Sequence, residues 1–361
     1  MAKKKLKKQV KILIGVLAGF GTILIVLSLI YLFLTTPVDK SSDAIIEVTI
    51  DSGMSSKEIA SLLKERELIR SEFIFIIESK LMGKTLKAST YDLSKNMSLK
   101  KIIRSISDGN TYNPNAVKIT FKEGISLNKY ALEIATNTNH TYEDVIAVLE
   151  DDSYIDELIN KYWFLTDEIK NENIYYSLEG YLYPETYEFE NMDVDIKYII
   201  ETMLDQTDKE LSKYKDSISS SNRSVHELLT LASMVELEGT NSENRKMIAG
   251  VFYNRLEYNM TLGSDVTTYY ALQIEMTRDL TTAEFATDNL YNTRSANMRG
   301  KLPVGPICNP GNDSIDAAIN PKKSDYLYFV ADKDGKVYYT KNSKEHEEKV
   351  NELKKAGKWI W

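Results

Sequence analysis

The sequence predicts an α+β protein with a single N-terminal transmembrane helix, a small β-α module and a larger mixed α/β domain. Three observations carry this. An uncharged apolar run lies near the N-terminus, strand patterns lead repeatedly into capped helix patterns, and a hairpin with a polar helix closes the chain. The predicted organisation is a basic tail over 1–11, the span over 12–34, a linker over 35–44, the module over 45–112 and the larger domain over 113–361.

From Ile12 to Leu34 there are 23 consecutive residues without a charge. About 20 apolar residues suffice to cross the hydrocarbon core as a helix. Six lysines and no acid precede the run, so the tail is expected in the cytoplasm and the body outside it. The stretch exceeds the apolar region of a signal peptide and ends in Leu32-Phe33-Leu34, without a small-x-small cleavage site. Gly15-x-x-x-Gly19 matches a helix-packing pattern, although glycines are frequent in membrane helices. Thr35 to Ala44 is polar and contains Pro37, as a linker would.

A unit of strand, turn, apolar residue, serine and helix then occurs three times. The first copy is Ile45–Ile50, a turn at Asp51-Ser52-Gly53, and Met54-Ser55 before a helix, where Ser55 and Glu58 fit a capping box. The second is Thr90–Leu93, a turn at Lys95-Asn96, and Met97-Ser98. The third is Val117–Phe121, a turn at Glu123-Gly124, and Ile125-Ser126. Their unequal spacing argues against a uniform solenoid. With a helix over Ser71–Leu81 between them, the first two copies resemble a LysM-like module, which implies association with cell-wall glycans.

Further on, helical periodicity is read over Tyr142–Thr166, Asp195–Ser212, Val225–Leu237, Glu243–Leu256 and Thr282–Leu290. Ser224 and Glu227 make a second capping box. A loop is expected over Tyr291–Gly311, a short helix over Asp313–Asn320, and a hairpin from Tyr326–Val330 to Val337–Thr340. The turn Asp332-Lys333-Asp334-Gly335 lacks the distal Glu of a calcium loop. Glu345–Lys355 reads as a polar-faced helix.

Composition narrows the chemistry. The net charge is −8, but the first 34 residues hold six lysines, leaving 39 basic and 53 acidic residues beyond them, a net of −14. An acidic body argues against a nucleic-acid partner. One cysteine excludes an intrachain disulfide, and three scattered histidines leave little for a zinc site, so no metal or cofactor is expected. Cys308 reads as a buried thiol.

One acid stands out. On a helix over Val225–Leu237, Glu236 falls at the edge of the apolar stripe near the C-terminus, whereas Glu238 projects away toward solvent. Desolvation and the negative end of the helix dipole both favour a protonated carboxyl at Glu236, as a general acid requires.

The segments Leu178–Tyr187, Leu231–Glu238, Glu243-Asn244-Arg245, Ile248–Leu256, Met260-Thr261-Leu262, Tyr291-Asn292-Thr293, Gly305-Pro306-Ile307, Asn309-Pro310-Gly311 and Asp325–Asp332 resemble the YceG-like family of endolytic murein transglycosylases, over roughly residues 45–355. The resemblance implies cleavage of the β-1,4 bond between N-acetylmuramic acid and N-acetylglucosamine (MurNAc and GlcNAc) within nascent peptidoglycan strands, leaving 1,6-anhydro-MurNAc ends. Glu236 matches the family's catalytic glutamate, the general acid and then base. A hydrolase ordinarily needs two carboxyls. The resemblance implies that the sugar's own C6 hydroxyl attacks instead, its high effective molarity standing in for the second group. Tyr183, Asn254, Asp265, Asn292 and Thr293 are expected to line the glycan cleft, tyrosine as a stacking face and the others as hydrogen-bonding groups. The implied partners are peptidoglycan strands, the strand-synthesising machinery and the membrane, with the body outside the cell membrane.

The chain departs from the family at Gly263, Val266 and Val304, where Gln, Pro and Pro are usual. Two other readings stay open at this point: a non-catalytic wall-binding scaffold, and a two-carboxylate hydrolase pairing Glu236 with Asp265.

Overall fold

The computed structural model describes residue 19 and residues 21–42, 44–108 and 116–359. The chain divides into two compact units, Met1–Pro114 and Asn115–Trp361. The expected tail 1–11 and the expected boundary at 112–113 lie outside the described residues.

The transmembrane part of the predicted fold class is overturned. Among the described residues no helix is long and apolar enough to cross a membrane. Residues 12–18 and 20 of the predicted span lie outside the described residues, and the helix described there runs over residues 21–35.

In the first unit, β1 (Ile45–Ile50) is followed by α1 (Ser56–Glu65), α2 (Glu72–Leu81), β2 (Ser89–Ser94) and α3 (Leu99–Asp108). β1 and β2 pair antiparallel with Val48 opposite Tyr91. Alternation sends Val48, Ile50, Tyr91 and Leu93 to one face, where they pack with Leu63, Phe75, Ile102, Ile103 and Ile106. Ser55 and Glu58 form the anticipated capping box at α1. The strands of the first two sequence copies are therefore each other's partners.

The second unit begins with β3 (Val117–Thr120), which pairs antiparallel with β4 (Thr186–Phe189), a strand the aromatic-rich sequence around it concealed. Between them lie α4 (Leu127–Asn137), α5 (Tyr142–Leu149) and α6 (Asp152–Lys161). The helical pattern over 142–166 thus breaks in two, because the Asp151 carboxylate accepts from the Ser153 and Tyr154 amides and caps a new helix. Then come α7 (Ile196–Ser212), α8 (Lys215–Ser220), α9 (Val225–Glu238), α10 (Ser242–Glu257), α11 (Asp265–Ala271), α12 (Thr282–Phe285) and α13 (Asn312–Ile319). The hairpin of β5 (Tyr328–Ala331) and β6 (Val337–Thr340) and helix α14 (Ser343–Lys355) follow. α12 ends well before Leu290, and α11 carried no clear sequence signal.

Helix α9 is the centre of this unit. It packs against α10, α11 and α13, and every residue from Leu228 to Val235 is buried. A helix buried on all faces has no solvent stripe from which side-chain directions can be read. Gly250 lets the backbone at Lys322 approach α10, for a Cβ there would lie 2.3 Å from the Lys322 carbonyl oxygen.

Candidate functional site

Glu236 occupies the last turn of α9, which the Ser224–Glu227 capping box opens and Gly239 ends. Two donors hold its carboxylate. Arg245 Nη2 donates to Oε1 at 2.6 Å and the Gly311 amide donates to Oε2 at 3.0 Å. The glutamate side chain is 6% exposed and the arginine side chain 15%. Arg245 reaches back from the first turn of α10 because the intervening cap is glycine: a Cβ on Gly239 would fall 2.5 Å from Arg245 Cγ. The guanidinium also faces Asp313 at 3.8 Å. The sequence supplied only burial and the helix dipole at Glu236; the fold adds a cation.

Gly311 belongs to a loop that converges on the same place. Asn309, fully buried, accepts from the Gly124 amide through its carbonyl at 2.9 Å. Its side-chain amide donates to the Ile125 carbonyl at 3.1 Å and its Oδ1 accepts from the Leu182 amide at 3.1 Å. Ser233 fixes the preceding residues, accepting from the Ile307 amide through its hydroxyl at 3.0 Å, while the buried Cys308 thiol lies 3.4 Å from the Ser233 carbonyl oxygen.

The turn Glu123-Gly124 is thereby pinned beside Glu236. Gly124 has φ of +73°, and a Cβ there would sit 3.6 Å from Glu236 Cγ. A Cβ on Gly311 would fall 2.1 Å from Glu123 Oε1. Glu123 is exposed. Desolvation, then the negative charge of Glu236, raise its pKa, and Asp313 adds to this while Arg245 opposes it.

Beneath this loop lies a buried carboxyl. Glu179, 1% exposed, accepts from the Leu127 amide at 2.9 Å and the Tyr270 hydroxyl at 2.9 Å. Burial raises its pKa to about 8, against the opposing pull of the Leu127, Tyr270 and Gly180 donors. It ties the start of α4 to α11.

Glu238, expected to be solvated, instead accepts from the Ser264 hydroxyl at 2.6 Å, and burial raises its pKa. Thr293 and Thr267 share a 2.8 Å hydrogen bond, and Thr293 Oγ1 accepts from the Ser264 amide at 3.0 Å. Asp265 pairs with Arg294 and is felt electrostatically at Glu238. This second cluster holds two of the sequence-predicted site residues, Asp265 and Thr293.

Among the other predicted residues, Tyr183 is half-buried, and its phenol is pushed up to about 12 by burial, with the charges of Glu210 and Glu123 contributing. Asn254 donates to the Ser324 carbonyl at 2.9 Å and the Tyr326 carbonyl at 2.8 Å. Asn292, fully buried, accepts from the Thr268 hydroxyl at 2.7 Å and donates to the Thr287 carbonyl at 2.7 Å. Thr293 is likewise fully buried. The fold thus brings Tyr183 within electrostatic reach of Glu123, and engages Asn254, Asn292 and Thr293 within the chain.

Sequence reasoning did not single out Glu123, Arg245, Gly311 or Glu179 as site residues. Arg245, Gly311 and Glu179 stand inside segments that carry the family resemblance, which was the available signal. Among the described residues no group of three or more His, Cys, Asp or Glu could hold a metal ion.

The chain matches the model of the YceG-like family over residues 48–352. It is 39% identical over 315 residues to the endolytic murein transglycosylase of Bacillus subtilis (strain 168), covering 87% of this chain and 86% of that protein. It is 36% identical over 330 residues to the endolytic murein transglycosylase of Streptococcus pneumoniae serotype 2, covering 88% of this chain but 60% of that protein. The crystal structure of a YceG-like protein from Listeria monocytogenes superposes with a TM-score of 0.61 at 38% identity, covering 84% of this chain and 99% of that one. The chain belongs to the YceG-like family.

Proposed function

We propose that this protein is an endolytic murein transglycosylase with Glu236 as its acid–base group. It cleaves the β-1,4 bond between MurNAc and GlcNAc within nascent peptidoglycan strands. The observation that carries this reading is a carboxylate fixed from two sides, by Arg245 and the Gly311 amide, at the end of a helix buried from Leu228 to Val235. Such fixing presents the group in one orientation, which proton transfer to a defined oxygen requires. The relatives' names supply the substrate class.

In the reaction the bond from MurNAc C1 to the departing O4 breaks and O4 takes a proton. The MurNAc O6 then bonds to C1 and gives up its own proton. The product is a 1,6-anhydro-MurNAc end and a free GlcNAc 4-hydroxyl, with no water consumed. Tyr183, half-buried on the Glu123 side, offers a sugar-stacking face, and Asp265 a hydrogen-bonding group on the Glu238 side. With such a substrate, the proposed site of action is outside the cytoplasm, and the proposed partner is the machinery that makes new strands.

Product analysis tests the reading. Wild type and Glu236→Gln are incubated with murein and the fragments resolved by mass spectrometry. Anhydro-MurNAc ends from the wild type and their loss by about 10²–10⁴-fold in the variant are expected. Equal product from both would remove Glu236 from the chemistry. Reducing MurNAc ends carrying solvent oxygen would make the enzyme a hydrolase, and no product from the wild type would leave a wall-binding scaffold.

A further inference from the structure

We propose that Glu123 is a second catalytic carboxyl of this site, the one that gives its proton to the departing glycosidic oxygen. Glu236 takes the proton released from O6. The assignment rests on the transglycosylase reading and divides the two proton transfers between two groups.

The geometry sets the two carboxyls on either side of one backbone unit. The Gly311 amide donates to Glu236 Oε2 at 3.0 Å, and the place of a Gly311 Cβ lies 2.1 Å from Glu123 Oε1. Gly311 is extended at φ −79°, so its backbone does not itself demand glycine; the neighbouring carboxyl does. The hydrogen bond from the Gly124 amide to the Asn309 carbonyl, 2.9 Å, keeps the two loops together.

The surroundings of the two acids differ in the sense that acid and base roles need. Glu236 is met by a guanidinium at 2.6 Å and an amide, and its side chain is 6% exposed. Among the described residues no donor of the chain is hydrogen-bonded to the Glu123 carboxyl, which is exposed. It stands in the negative field of Glu236 and Asp313 with Arg245 committed to those two. A carboxylate held by two donors beside an exposed carboxyl that has none is an arrangement that suits one base and one acid.

The proton balance closes. The Glu123 carboxyl protonates O4 as the C1–O4 bond breaks, O6 bonds to C1, and the O6 proton passes to the Glu236 carboxylate. Solvent at exposed Glu123 then returns a proton to it while Glu236 releases one, and no co-reactant is consumed.

Leaving-group chemistry tests the division on the full chain. Two substrates are compared: murein, and the 2,4-dinitrophenyl β-glycoside of GlcNAc–MurNAc oligomers, whose phenolate departs without a proton. Glu123→Gln is expected to cut murein about 10²–10⁴-fold more slowly, yet to keep activity within about tenfold on the dinitrophenyl glycoside. Glu236→Gln is expected to lose both. Glu123→Ala, measured with and without added formate, supplies a second variant, and recovery of murein cleavage by formate is expected. Full murein activity in Glu123→Gln would overturn the proposal, as would equal losses on both substrates in a variant that retains the wild-type melting transition. Reducing instead of anhydro ends from the wild type would overturn the transglycosylase reading itself, whatever Glu123→Gln does on the two substrates.

Discussion

Glu179 makes the stability of the second unit depend on pH, and the size of the effect follows from its burial. Its carboxyl has a pKa near 8 in the folded chain, against 4.5 for an unperturbed glutamate. Below pH 4.5 it is protonated folded or unfolded. Above that the unfolded chain ionises first, so stability falls as pH rises and levels off once the folded carboxyl ionises near pH 8. At about 1.4 kcal/mol per pH unit, the loss between pH 5 and 8 is roughly 3–4 kcal/mol. Glu179→Gln has no proton to lose and lacks this slope. All three tryptophans, Trp163, Trp359 and Trp361, lie in the second unit, so their fluorescence follows its unfolding in urea. The stability of wild type minus that of the variant is expected to fall by roughly 3–4 kcal/mol from pH 5 to pH 8. Parallel curves, with a difference constant to about 0.5 kcal/mol, would refute the assignment of a buried protonated carboxyl.

Other substitutions separate support from chemistry. Gly250→Ala drives a methyl to 2.3 Å from the Lys322 carbonyl oxygen, and a loss of about 1–3 kcal/mol in urea unfolding is expected. Asn254→Ala removes the donors to the Ser324 and Tyr326 carbonyls. It should cost about 1–3 kcal/mol in the same assay while KM for soluble glycan oligomers stays within about twofold. Gly311→Ala places its methyl on the mobile end of Glu123, so murein cleavage should drop at least about tenfold while unfolding shifts by under about 1 kcal/mol.

Much of the local structure was legible because it rests on local rules. The capping boxes at Ser55, Ser224 and their glutamates are short-range hydrogen bonds written in four consecutive residues. Alternation identified β1, β3 and the closing hairpin for the same reason. The split at Asp151 was the same kind of signal hidden within a continuous apolar period. The N-terminal span was a different matter: among the described residues no helix is long and apolar enough to cross a membrane.

The candidate site divides similarly. By itself the sequence determined that Glu236 stands at the end of a helix and, through its motifs, which family the chain resembles. Only tertiary structure could decide what surrounds that carboxyl, because Glu123, Arg245 and Gly311 come from three separate stretches of chain. It also decided that Glu238 accepts a hydrogen bond from Ser264, since α9 packs against α10, α11 and α13. Helical periodicity reports a direction around one axis. Whether that direction meets solvent, a cation or another acid depends on chain folded in from elsewhere, and a one-dimensional pattern contains no such distance.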